Sequence, residues 1–130
     1  MPTPRFQARD YVVGRGVFGI EARPRWVIPA GGSPTFLWAS VVHHVHAWAI
    51  NDALKAQGQY KNLQTLCKGR NLSIRRINEA LIGTAVLRME IVGMLAFHLG
   101  PGCLPDPRRI DKNLNEAARD TGLVRPPAPT

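Results

Sequence analysis

The sequence predicts a mainly α fold: a bundle of four to five helices, preceded by a short extended arm or β-hairpin and followed by a flexible tail. Three observations carry this expectation. Residues 33–57 run without a helix breaker behind a clear start signal, and residues 63–83 read as two short helices joined by a tight turn. Residues 84–98 are apolar on most sides and stop at a Gly-Pro-Gly cluster. The expected organisation is a basic arm or small hairpin over 1–32, a helical domain over 33–100, and a tail over 101–130.

In the arm, Tyr11-Val12-Val13 and Val17-Phe18-Gly19-Ile20 are β-prone runs on either side of Gly14-Arg15-Gly16, a candidate hairpin turn. A third run, Arg25-Trp26-Val27-Ile28, lies between Pro24 and Pro29. Two or three short strands, or an extended arm packing its apolar residues on the helices, both fit. Arg5, Arg9, Arg15, Arg23 and Arg25 make the segment basic. An arginine arm can enter a DNA minor groove, with Arg5 and Arg9 as candidates here. A solvated basic tail beside a packing hairpin is the plainer alternative.

Gly31-Gly32-Ser33-Pro34 combines a flexible break, an N-cap serine and a proline at the first helical position. Behind it Leu37, Val41, Val45, Trp48, Ala49, Ala53 and Leu54 recur at helical spacing, so one long helix should run to about Gln57, with Gly58 ending it. After the helical pair at 63–83, Thr84 is placed to cap a helix through about His98. Its apolar surface makes that helix the best candidate for a contact between subunits. A short charged helix over 107–118 and a disordered Pro-rich end complete the expectation.

Composition narrows the function classes. A formal net charge of +8 and a pI near 10.5 point to an anionic partner, and thirteen of the seventeen basic residues are arginine. Arginine suits bidentate contact with phosphate and guanine, although an arginine-rich balance equally fits a GC-rich coding sequence. Two cysteines, Cys67 and Cys103, do not make a disulfide framework. The longest apolar run, 84–99, is too short to span a bilayer and carries Arg88 and Glu90. No signal-peptide pattern opens the chain, so the expected setting is cytoplasmic, nucleoid-associated in a bacterial host, with no membrane partner.

No catalytic constellation stands out. His43 and His46 share a helix face, but two ligands are not a metal site. No serine sits in a glycine elbow, and Gly14-Arg15-Gly16 lacks the lysine and helix start of a phosphate loop. The expectation is therefore a protein that is not an enzyme and needs no cofactor or metal.

The binding chemistry concentrates in residues 63–83. Between Asp52 and Glu79 the chain carries Lys55, Lys61, Lys68, Arg70, Arg75 and Arg76 and no acidic residue. Two steeply crossing helices need a small residue at the crossing, and Cys67 fits. Four positions later Asn71 tolerates an unusual backbone angle, where glycine is commoner, and Leu72 follows as an apolar plug. Ser73 is placed to cap the second helix, which should turn Ile77, Ala80 and Leu81 inward.

With these residues in place, the stretch resembles the helix-turn-helix of bacterial and phage repressors, including the Cro/CI-like and LacI-like groups. Leu72-Ser73-Ile74 and Ile77-Asn78-Glu79-Ala80-Leu81-Ile82-Gly83 carry the likeness to a recognition helix. Arg70 stands where an apolar residue is usual. The resemblance implies a sequence-specific repressor that binds an operator in double-stranded DNA, as a small actinobacterial phage immunity repressor would, as a homodimer or a monomer. On this reading Ser73, Ile74, Arg75, Asn78 and Glu79 face base edges. Arg75 would take guanine and Asn78 adenine, each worth ~1–3 kcal/mol of discrimination. Lys61, Asn62, Gln64, Lys68, Arg70 and Arg76 would contact phosphates. Two alternatives stay open: an excisionase-like or antitoxin-type DNA-binding accessory protein, and a helical interaction module for an acidic protein partner.

Overall fold

The computed structural model describes residues 6–56 and 73–124, and these are mainly helical. The helices are α1 (Pro34–Ala56), α2 (Ile74–Leu81), α3 (Met89–Leu99) and α4 (Pro107–Thr121), with short 3-10 turns at Ala8–Tyr11, Arg15–Val17 and Pro101–Cys103. The first helix and the turn expected within 63–83 lie outside the described residues. So does the Pro-rich end.

The long helix α1 is the spine, and it starts where local chemistry says it should. The Ser33 hydroxyl accepts the Phe36 N–H at 3.2 Å, and Pro34 occupies the first helical position. The start is also held from outside, because the Ser33 N–H donates to the Tyr11 hydroxyl. Gly32 has no room for a side chain there: a Cβ would lie 2.6 Å from the Tyr11 oxygen. Leu37, Ser40, Val41, His44, Val45, Ala47, Ala49, Ile50, Ala53 and Leu54 are buried, which covers more than one face. Accordingly α1 packs against α2, α3, α4, the Ala8–Tyr11 turn and the Pro101–Cys103 turn. The core around it draws on Tyr11, Phe18 and Trp26 from the N-terminal segment, Ile77 and Leu81 from α2, Leu95 from α3, and Ala117 from α4.

The N-terminal segment folds differently from the expected hairpin. Val12 pairs with Trp26 as an isolated antiparallel bridge, with Val13 N–H donating to Arg25 O and Val27 N–H to Tyr11 O. Thus the first apolar run pairs with the third. Gly14-Arg15-Gly16 leads into the Arg15–Val17 turn instead of a strand. The cause lies at Phe18 and Gly19. Phe18 is buried against α1, whereas Ile20, which a strand would place on the same side, is 59% exposed. Gly19 adopts φ +74°, which bends the chain away from extended geometry.

Helix α3 starts later than expected, at Met89. Thr84 belongs to the end of α2, since its hydroxyl and its N–H both donate to the Glu79 carbonyl. In α4, by contrast, Asp106 caps the Arg108 N–H, Pro107 opens the helix, and Gly122 at φ +73° closes it three residues beyond the expected end. The Arg23 guanidinium pairs with the buried Glu116 carboxylate at 2.8 Å, and the Trp26 N–H donates to Asp120. These bonds tie the N-terminal segment to α4. No described helix is long and apolar enough to cross a membrane.

Candidate nucleic-acid interface

Helix α2 is eight residues long, and its two sides are chemically opposite. Ile77, Ala80 and Leu81 are buried, while Ser73, Arg75, Arg76 and Asn78 are exposed. That division follows the 3.6-residue period. Ser73 is the N-cap, with its hydroxyl accepting the Arg76 N–H. Its backbone is extended, as an N-cap requires.

Two of the residues expected to face outward are less free. Ile74 is half-buried and packs on the core, because at the first turn it lies beside Ile77 at i+3. Glu79 is also half-buried and accepts a 3.0 Å ion pair from Arg75. The Arg75 side chain is 86% exposed, so this i,i+4 pair is worth only ~0.3–0.5 kcal/mol.

The C-terminal end of α2 is clamped. The His43 Nε2–H of α1 donates to the Ala80 carbonyl at 2.6 Å. Burial lowers the His43 pKa, more than the Ala80 carbonyl raises it, and the nearby His46 adds a smaller lowering. His43 is therefore neutral at pH 7 and keeps its second nitrogen free of a proton. Phe18 stands edge-on to His43 and His44, with ring centroids 5.1 and 5.3 Å apart. Its ring fills the space beside Gly83, which has φ +85° and whose Cβ would lie 2.7 Å from the ring. The Arg9 N–H donates to the Gly83 carbonyl. Gly19 approaches so closely that a Cβ would meet the Leu81 carbonyl at 2.5 Å, and the Asn51 amide holds the Gly19 carbonyl.

Arg9 is accordingly built into the body of the protein and not part of a free arm. Its backbone supports the C-terminal end of α2, and its Nε–H donates to the Gln7 side chain. An eight-residue helix is about 12 Å long, so Arg9 lies well away from the Ser73 end. Arg5, Lys61, Asn62, Gln64, Lys68, Arg70, Cys67, Asn71 and Leu72 lie outside the described residues.

His43, Phe18 and Gly19 are residues that sequence reasoning did not connect to the helix, and it marked Gly83 only as the stop. Their contacts join segments dozens of positions apart. Only Gly83 left a local trace, as the expected stop of α2. Among the described residues no three of His, Cys, Asp and Glu gather as metal ligands would. Comparison with protein-family models, with curated proteins and with solved structures finds no match.

Proposed function

We propose that the protein is a sequence-specific double-stranded DNA-binding repressor, with α2 entering the major groove and repression following from occlusion of a promoter. The observation that carries this reading is the pairing of the two ends of α2. A capped N-terminal turn displays Arg75, Arg76 and Asn78, and a clamped C-terminal end keeps them on a rigid support. Base readout needs that rigidity, since a bidentate contact is directional. The net charge of +8 adds the sequence-independent attraction to phosphate.

Arg75 and Asn78 are the base-reading residues in this proposal, and Arg76 a phosphate contact. Ser73 acts through its cap, and Glu79 holds Arg75 until DNA displaces it. Titration with duplexes selected from a random pool tests the reading. One sequence should be preferred over bulk DNA by ~10³-fold or more, with affinity falling steeply with salt. Salt-sensitive binding without preference would instead fit an accessory protein.

A second reading rests on α3. Met89 and Phe97 are exposed, Phe97 at 84%, and Gly93 between them has open space above it. Such a face suits a contact with another protein surface. It serves a homodimer on paired half-sites, or, without DNA binding, an interaction module.

A further inference from the structure

On its exposed side α3 carries Met89, Gly93 and Phe97 at successive turns, a large apolar side chain, none, and a large one again. We propose that this stripe pairs with the same stripe of a second copy of the chain, the two α3 helices running antiparallel with Gly93 at the two-fold axis. The inference rests on the reading of α3 as a protein-contact face and names the partner of that face.

Gly93 is the first argument. It sits in the interior of an eleven-residue helix, where glycine is a poor helix former. Among the described residues nothing asks for it there: a Cβ would meet no atom within 4 Å, and the backbone is ordinary helix that any residue adopts. A missing side chain at an exposed position lets another backbone come close. Phe97, 84% exposed, and Met89, 67% exposed, stand one turn to either side. The order large, small, large reads the same in both directions. An antiparallel two-fold pair therefore brings Gly93 onto Gly93 and each Phe97 onto the other copy's Met89. Sulfur against an aromatic ring is a favourable contact.

Charge supplies an independent observation. Arg88 is the N-cap of α3, exposed, with an extended backbone and no side-chain hydrogen bond to the helix. A cation there stands at the unfavourable end of its own helix, beside N–H groups that lack helical partners. In the antiparallel pair each Arg88 lies beside the C-terminal end of the other α3, whose last carbonyls carry the opposite partial charge. Size then sets the strength. Eleven residues make a helix about 16 Å long, and a single stripe along it buries less than the ~800 Å² per partner of a stable complex. Self-association of the free chain is therefore weak, and two copies brought to neighbouring sites on one duplex pair far more fully.

The test is self-association of the full chain without DNA, followed from micromolar to millimolar concentration by sedimentation and by the NMR signals of Met89, Gly93 and Phe97. These signals should shift with concentration along a monomer–dimer isotherm. Gly93→Gln holds the two backbones apart and should weaken the dimer about tenfold or more. It should leave the urea midpoint unchanged or raised, since glutamine is the better helix former. With glutathione disulfide as oxidant, Gly93→Cys should cross-link to its own copy. Met89→Cys, at least about 12 Å from its counterpart in the antiparallel pair, should not. The native chain is the control for Cys67 and Cys103. A chain that stays monomeric to millimolar concentration would overturn the second copy and leave α3 to a different protein. A dimer that survives both Gly93→Gln and Phe97→Glu would remove the α3 contact altogether. Equal cross-linking of Met89→Cys and Gly93→Cys would overturn the antiparallel pairing.

Discussion

Arg75 and Arg76 are sequence neighbours on the exposed side of α2, yet they should behave differently. Arg75→Ala should relax preference at one base position, by ~1–3 kcal/mol, and leave the others alone. Arg76→Ala should weaken every sequence alike and reduce the salt slope by about one. Measured affinities over single-base substitutions of a selected duplex separate these outcomes; uniform loss in both variants would refute the groove assignment. His44 gives a prediction of another kind. Its Nδ1 accepts the Gly19 N–H, and burial lowers its pKa to about 4, with the Glu21 carbonyl only partly offsetting that burial. An unfolded chain takes up the proton near pH 6.5, the folded protein only near 4. The contribution is therefore complete above about pH 6.5 and is lost as the pH falls toward 4. The loss is about 1.4 kcal/mol per pH unit, on the order of 3 kcal/mol in all. His43, lowered for the same reason, acts in the same direction. Urea unfolding between pH 7 and 4.5 should show the slope, and His44→Gln should flatten it.

Among the elements, α2 depends most on what surrounds it, because eight residues cannot hold a helix alone in water. Gly83→Ala places a side chain at φ +85° and against the Phe18 ring, so it should cost about 2 kcal/mol or more in chemical unfolding. At temperatures where the variant still folds, DNA affinity should fall with it. Phe97→Glu on α3 addresses a different surface. Phe97 is exposed, so stability should change by no more than ~0.5 kcal/mol. Any dimer seen by sedimentation should become monomeric, and a dimer that survives would remove α3 from the subunit contact. The elements also differ in how legible they were. The start of α1 and the cap of α2 were readable because Ser33-Pro34 and Ser73 act on their own next turn, and α4 starts at the expected Pro107. The inward set Ile77, Ala80 and Leu81 was readable from spacing. Thr84 misled because a hydroxyl before an apolar run can serve either the helix behind it or the one ahead.

For the whole molecule, tertiary contacts decided what local patterns left open. The Val12–Trp26 bridge, the Arg23–Glu116 pair and the His43–Ala80 bond each join distant segments, and no spacing rule encodes such partners. The first two hold the N-terminal segment together and tie it to α4, and the third ties α2 to α1. Of the candidate site, the polar face of α2 was legible and its clamp was not. Charge operates at this scale too: at +8 the chain should bind any duplex weakly at low salt, whichever residues read sequence. Affinity for a pool-selected duplex against a scrambled one, followed from low to physiological salt, therefore separates sequence reading from charge alone. Both affinities should fall with salt while the selected duplex stays preferred by ~10³-fold or more. Affinities that fall together to the same value would contradict sequence reading.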